Sequence, residues 1–229
     1  MDTRKGFLAA GAAVAWTAGA ASALAGAGAP AAAGAQGGAI IDEASFVARI
    51  RDRARHRQAI GAVRVNDGAV LQFAVNSLNG FESGWGETPA AVHIAIVLAG
   101  SAVTIALDDE AWQHHHLADV VHGVANEFLS LKAPGNPFAH VNSALGPNAD
   151  KSVPALQLRG VAFFACNTAL GDVANRVMAA GNGGDAPNAT ALQAHLRTHV
   201  LPGVTVVPAG ISALAVLQEN GYSYYSAAL

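Results

Sequence analysis

The stretch AAVHIAIVLAG, residues 90 to 100, constrains the fold of this 229-residue chain more than any other. It is an apolar run of strand length bounded by Pro89 and Gly100, broken only by His93, with no alternation of polar residues to face water. A run of this kind fits a strand covered on both faces, and the cover has to come from helices. Three further segments read as strands: HRQAIGAV at 56–63, GVAFFA at 160–165 and the β-branched VTVV at 204–207. The tail YSYYS adds a candidate edge strand.

The intervening segments carry helical periodicity. Residues 42–57 place Phe46, Val47, Ile50 and Ala54 on one side, with arginines 49, 51, 53, 55 and 57 spread around the cylinder as a solvated face. Asn66-Asp67 precedes a helix in which Val70, Leu71, Ala74, Val75, Leu78 and Phe81 recur at three- and four-residue steps. A helical pattern also runs through SAVTIALDDEAW and on into QHHHLADVVHGVANEFLSLK. Residues 133–153, rich in Pro, Gly, Asn and Ser, predict a long loop with at most a helical turn. Helices follow over 168–180, from a capping box at Thr190-Ala191-Leu192-Gln193, and over 208–220, ending at Gly221. Strands separated by helices imply right-handed crossovers, and so an α/β fold with a mostly parallel sheet and helices on both faces. One domain accounts for residues 42–229.

Residues 1–35 predict something other than folded core. A short basic start is followed by an apolar Ala/Gly-rich middle from Phe7 to Leu24 and by several A-x-A sites, the pattern of an export signal. Thr3-Arg4-Lys5-Gly6-Phe7-Leu8 resembles a twin-arginine signal with Lys5 in place of the second arginine, so the twin-arginine and general secretion routes both stay open. Ala33-Gly34-Ala35 is the expected cut, with Ala23-Leu24-Ala25 the alternative. A membrane anchor is the competing reading, but the run is weakly hydrophobic for one, and no stable insertion is expected after cleavage. The expected location is therefore periplasmic or otherwise exported. A net charge of −3 gives no reason to expect nucleic acid as a partner.

The single cysteine cannot form an intrachain disulfide, so in an oxidising compartment Cys166 is buried, reactive, or paired with another molecule. It follows the run VAFFA at the carboxyl end of a strand, where open α/β sheets bind their ligands, and it precedes a helix. Unpaired amides at a helix start stabilise a thiolate, and Asn167 or Thr168 is placed to cap the helix or to donate to the sulfur. His140, in the loop before the strand, is a candidate proton acceptor for the thiol. Against this stands the ordinary role of a free cysteine as a small buried hydrophobe.

The histidines supply a rival site. On one continuous helix, His115, Asp119 and His122 share a face, and imidazole with carboxylate suits zinc, copper or nickel. A run of three histidines nevertheless points in three directions, which favours an exposed helix start with incidental metal affinity. No motif calls for a cofactor. His93, inside the apolar strand, reads as a hydrogen-bonded core residue.

Three segments together resemble the DsrE-like family of small sulfur-relay proteins, with its YchN-like and exported branches. They are VHIAIVLAGSAVTIALDDEAW, LRGVAFFACNTAL and LPGVTVVPAGISALAVLQENGYSYY, in the family's order, with Ala165-Cys166-Asn167-Thr168-Ala169-Leu170 the most telling. The resemblance implies a five-stranded sheet, homo-oligomeric assembly, and a cysteine that accepts sulfur from a donor and passes it to an acceptor protein. Cys166 alone aligns with that role. The chain departs from the pattern in its export signal and in an inserted region at about 113–153. Two readings remain beside sulfur relay: a non-catalytic module binding a small ligand or partner in the same crevice, and metal binding through His114 to His122.

Overall fold

The computed structural model describes residues 38–51, 53–122 and 135–227. The export signal assigned to residues 1–35 lies outside them, as does residues 123–134 of the inserted region. The sheet has five strands: β1 His56–Ala62, β2 Val92–Leu98, β3 Ala162–Cys166, β4 Val204–Val207 and β5 Ser223–Ser226. Their order is β4-β3-β2-β1-β5, and every pairing is parallel, so the expected α/β architecture is the observed one. The apolar run at 90–100 is the central strand β2, buried from end to end between β1 and β3.

Side-chain alternation divides the core into two layers. Ile60, Ile94, Ile96, Leu98 and Phe163 face one side, where they pack with α2 (Ala69–Asn79), α5 (Val153–Leu158), α6 (Asn167–Ala179), α7 (Ala189–Thr198) and the 3-10 segment Gly100–Ala106. Ala59, Ala95, Val97 and Phe164 face the other, against α1 (Glu43–Ile50) and α8 (Gly210–Glu219). On that second face Phe46 meets Phe164 edge-on, with ring centroids 4.8 Å apart. His93 is the core residue expected: its Nδ1 bonds the Tyr222 hydroxyl, which itself donates to the Ile50 carbonyl. Among the described residues, no helix is long and apolar enough to cross a membrane.

Several local expectations are corrected. The first helix stops at Ile50 instead of running to Arg57, because His56 already pairs with Val92 in the sheet. Asn66 and Asp67 do not cap α2. Both take positive φ in a 3-10 turn, and Gly68, in the left-handed region, occupies the cap position without a side-chain bond. The capping box does not start at Thr190; Asn188 opens α7, its Oδ1 accepting from the Ala191 amide at 2.9 Å. The pattern from 101 onward is not one helix. It breaks into the 3-10 segment, α3 (Asp109–His114) and α4 (Leu117–His122), with His116 at φ 48 between the last two.

Candidate functional site

Cys166 is at once the last residue of β3 and the N-cap of α6. Its Sγ accepts the Ala169 amide at 3.4 Å, an orphan donor of the first turn of α6. It also accepts the Gly210 amide at 3.1 Å, the first residue of α8. The N-cap of α8, Ala209, makes no side-chain capping bond, so the sulfur supplies an acceptor that this helix otherwise lacks. Two helix N-termini thus converge on one sulfur, and their amide dipoles stabilise negative charge there.

The approach of α8 depends on glycine. A Cβ on Gly210 would stand 3.2 Å from Val97 Cγ1 and 3.3 Å from both Ala99 Cβ and Cys166 Cβ, tighter than side-chain contacts normally allow. The sulfur lies at the carboxyl end of the sheet, opposite Val207 in the β3–β4 pairing. Cys166 is 5% exposed. An apolar groove of about 160 Å³ opens at the same end, lined in part by Phe46, Val207, Pro208, Ala209 and Ala213; Cys166 is not among its lining residues.

The residues expected to support the cysteine have other partners. The caps are made by Cys166 itself, so neither Asn167 nor Thr168 donates to the sulfur. Asn167 accepts instead: its Oδ1 receives Gln193 Nε2 and Arg197 Nη1, both at 3.1 Å, and its carbonyl receives Gln193 Nε2 at 2.7 Å. Those bonds fasten the start of α6 to α7. Thr168 donates its hydroxyl and its amide to the Pro208 carbonyl, at 3.2 and 3.3 Å, fastening the same turn to the segment that leads into α8. Both residues therefore position the frame around Cys166. His140 pairs with Asp109 across 2.6 Å on an exposed surface and makes no bond to Cys166.

The histidine run is rearranged by the break at His116. His115 caps α3 and is buried at 1% exposure, its Nδ1 bonded to the Asn182 carbonyl at 2.9 Å. Asp119 is exposed on α4, and the side chain of His122 lies outside the described residues. The three do not share the face of one helix. Among the described residues, no group of three or more His, Cys, Asp or Glu side chains is placed to hold a metal ion. Burial lowers the pKa of His115; the Asn182 carbonyl opposes this, and His114, His195 and His199 add to it. His195 is likewise held below the ordinary histidine value, by burial first and then by His199 and His114, against Glu110 and Asp108.

Two features escaped the sequence reading. Gly210 reaches the sulfur from 44 residues away, and its only local sign is a glycine opening a helix without a Ser, Thr, Asp or Asn cap before it. His195 and His199, four apart on α7 and at its C-cap, meet the α3 histidines only through tertiary packing. Comparison with known proteins finds no matching family model. No curated protein matches either. Among solved structures, the chain is similar to the protein of unknown function MTH1491 from Methanobacterium thermoautotrophicum, at 17% identity and a TM-score of 0.38, over 75% of this chain and 98% of that one.

Proposed function

We propose that this chain is an exported, homo-oligomeric carrier of sulfur, with Cys166 as its acceptor thiol. The observation that carries the reading is the convergence of the Gly210 and Ala169 amides on Sγ at the carboxyl edge of the sheet. The same amides that hold a thiolate also hold the terminal anion of a persulfide, with a small shift along the helix axes.

The thiol proton leaves to solvent, and the thiolate attacks the terminal sulfur of a donor persulfide R-S-SH. A new S–S bond forms at Sγ, the donor S–S bond breaks, and RS⁻ departs with the bonding pair to take up a proton. Cys166 is left as Cys-S-SH. Transfer to an acceptor thiolate repeats the exchange, so the cycle needs no external oxidant. The low exposure of Cys166 restricts the reaction to small donors, or to partners that reach the edge of the sheet between α6 and α8.

Intact mass after incubation with polysulfide tests this. Wild type gains sulfur in a form removed by a thiol acceptor, and Cys166→Ser gains none; a wild type that stays unmodified contradicts the proposal. The apolar groove beside α8, which does not include Cys166, favours a second reading as a non-catalytic binding module. That reading predicts ligand binding unchanged in Cys166→Ser.

A further inference from the structure

A second concave site lies where α3 meets α7 and the segment between α6 and α7. This cleft, of about 390 Å³, is lined in part by Glu110, His114, His115, Gly183, Asp185 and His195. Nothing in the proposed sulfur chemistry uses these side chains. Four imidazoles stand in a row here. Ring centroids are 4.7 Å apart for His114–His115, 5.5 Å for His115–His195 and 4.5 Å for His195–His199.

His115 is the informative member. Its Nδ1 meets a backbone carbonyl, which only accepts, so Nδ1 carries the proton and Nε2 carries the lone pair. That Nε2 is buried and has no hydrogen-bond partner among the described residues. A buried acceptor without a donor costs free energy that a bound group would recover. The arrangement matches a metal-ligating histidine, whose second ring nitrogen donates to a carbonyl that fixes tautomer and orientation. At the far end of the row, His199 Nδ1 is paired with Asp108 at 3.1 Å, so this ring is also fixed by a neighbour.

We infer that the cleft between α3 and α7 is a binding site for a borderline divalent metal ion, Zn²⁺ the reference case, with His115 Nε2 as the fixed ligand and His114 and His195 closing on it. Metal–nitrogen bonds of about 2.0–2.1 Å in a tetrahedral site set the centroids of two ligating imidazoles roughly 5 Å apart. The distances from His115 to His114 and to His195 bracket that spacing. Glu110 and Asp185 line the same cleft and offer a carboxylate or a hydrogen bond to a bound water. In their present positions no three of the described side chains are placed to hold an ion, so the site requires His114 and His195 to turn toward His115 Nε2. His114 and His195 are exposed, so rotating them onto an ion costs little packing. Gly184 admits the present position of the His114 ring: at φ +59, an added Cβ would stand 2.5 Å from His114 Nε2. This donor set differs from a His115, Asp119 and His122 face, because it draws its third imidazole from α7.

Calorimetric titration of tag-free, metal-stripped protein with Zn²⁺ at neutral pH tests the site. The expected result is saturable binding of one ion per chain, weakened about tenfold or more in His114→Gln and in His195→Gln. His116→Asn tolerates the left-handed backbone and touches none of the cleft, so it binds as wild type. Cys166→Ser also binds as wild type, which separates this site from the thiol. Both glutamine variants alter exposed side chains and keep the fold, to be verified by their denaturation midpoints. Absence of saturable binding, or a His114→Gln/His195→Gln double variant with wild-type affinity, overturns the inference.

Discussion

A sulfur that accepts amides from two helices is held by atoms at fixed positions, so small changes beside it are felt directly. Gly210 is the sharpest probe. Adding one methyl group sets a Cβ against Val97, Ala99 and Cys166, and the first turn of α8 has to retreat. Overpacking of this kind costs about 1–3 kcal/mol of stability. The functional effect is the more telling one. Losing one hydrogen bond to a charged acceptor, worth about 1.5–3 kcal/mol, slows sulfur uptake by Gly210→Ala about tenfold or more. Stopped-time mass spectra on the folded variant measure it, and an unchanged rate would detach the Gly210 amide from the chemistry. Cys166 was legible because an apolar run ends at it and a helical pattern begins. Gly210 was not, because a bond spanning 44 residues leaves no local periodicity.

Elements were legible where periodicity was long and unbroken. The apolar runs became β2 and β3, and the helix expected over 168–180 became α6, with Leu170, Val173 and Val177 in its buried stripe. Element ends were harder, because caps and breaks depend on backbone dihedrals that composition does not encode. His116 is the case in point: nothing in QHHHLADVV marks a positive φ, yet that residue ends one helix and turns His115 inward. At the start of the fold, Asp42 caps α1, its carboxylate accepting the Ser45 amide at 2.7 Å. That bond holds Asp42 below the ordinary carboxylate value. A depressed folded value means the contribution is present above the ordinary carboxylate range and is lost as pH falls through the lowered value. Denaturant midpoints of wild type and Asp42→Ala should therefore differ most at neutral pH and converge on acidification. A gap that ignores pH would mean that the charge of the Asp42 carboxylate adds nothing to the cap.

Across the whole molecule, the strand order β4-β3-β2-β1-β5 brings the carboxyl ends of β3 and β4 together, so that α6 and α8 start side by side over the same edge. A parallel sheet was readable from apolar runs alternating with helices. The meeting of two helix starts on one side chain was not, since it depends on which strands become neighbours. The His114–His115–His195 cleft lies on the α3–α7 side and follows from the same packing, not from any contiguous motif.

The account stands on the native fold making Cys166 a better nucleophile toward sulfane sulfur than the same residue in an unfolded chain. The direct measurement is the rate of persulfide formation at Cys166 with a small polysulfide at neutral pH, taken on native protein and on the chain unfolded in urea under otherwise equal conditions. The account predicts faster uptake by the native protein despite the low exposure of the thiol. Uptake confined to the unfolded chain would contradict it, and would leave Cys166 as a structural cap joining α6 to α8.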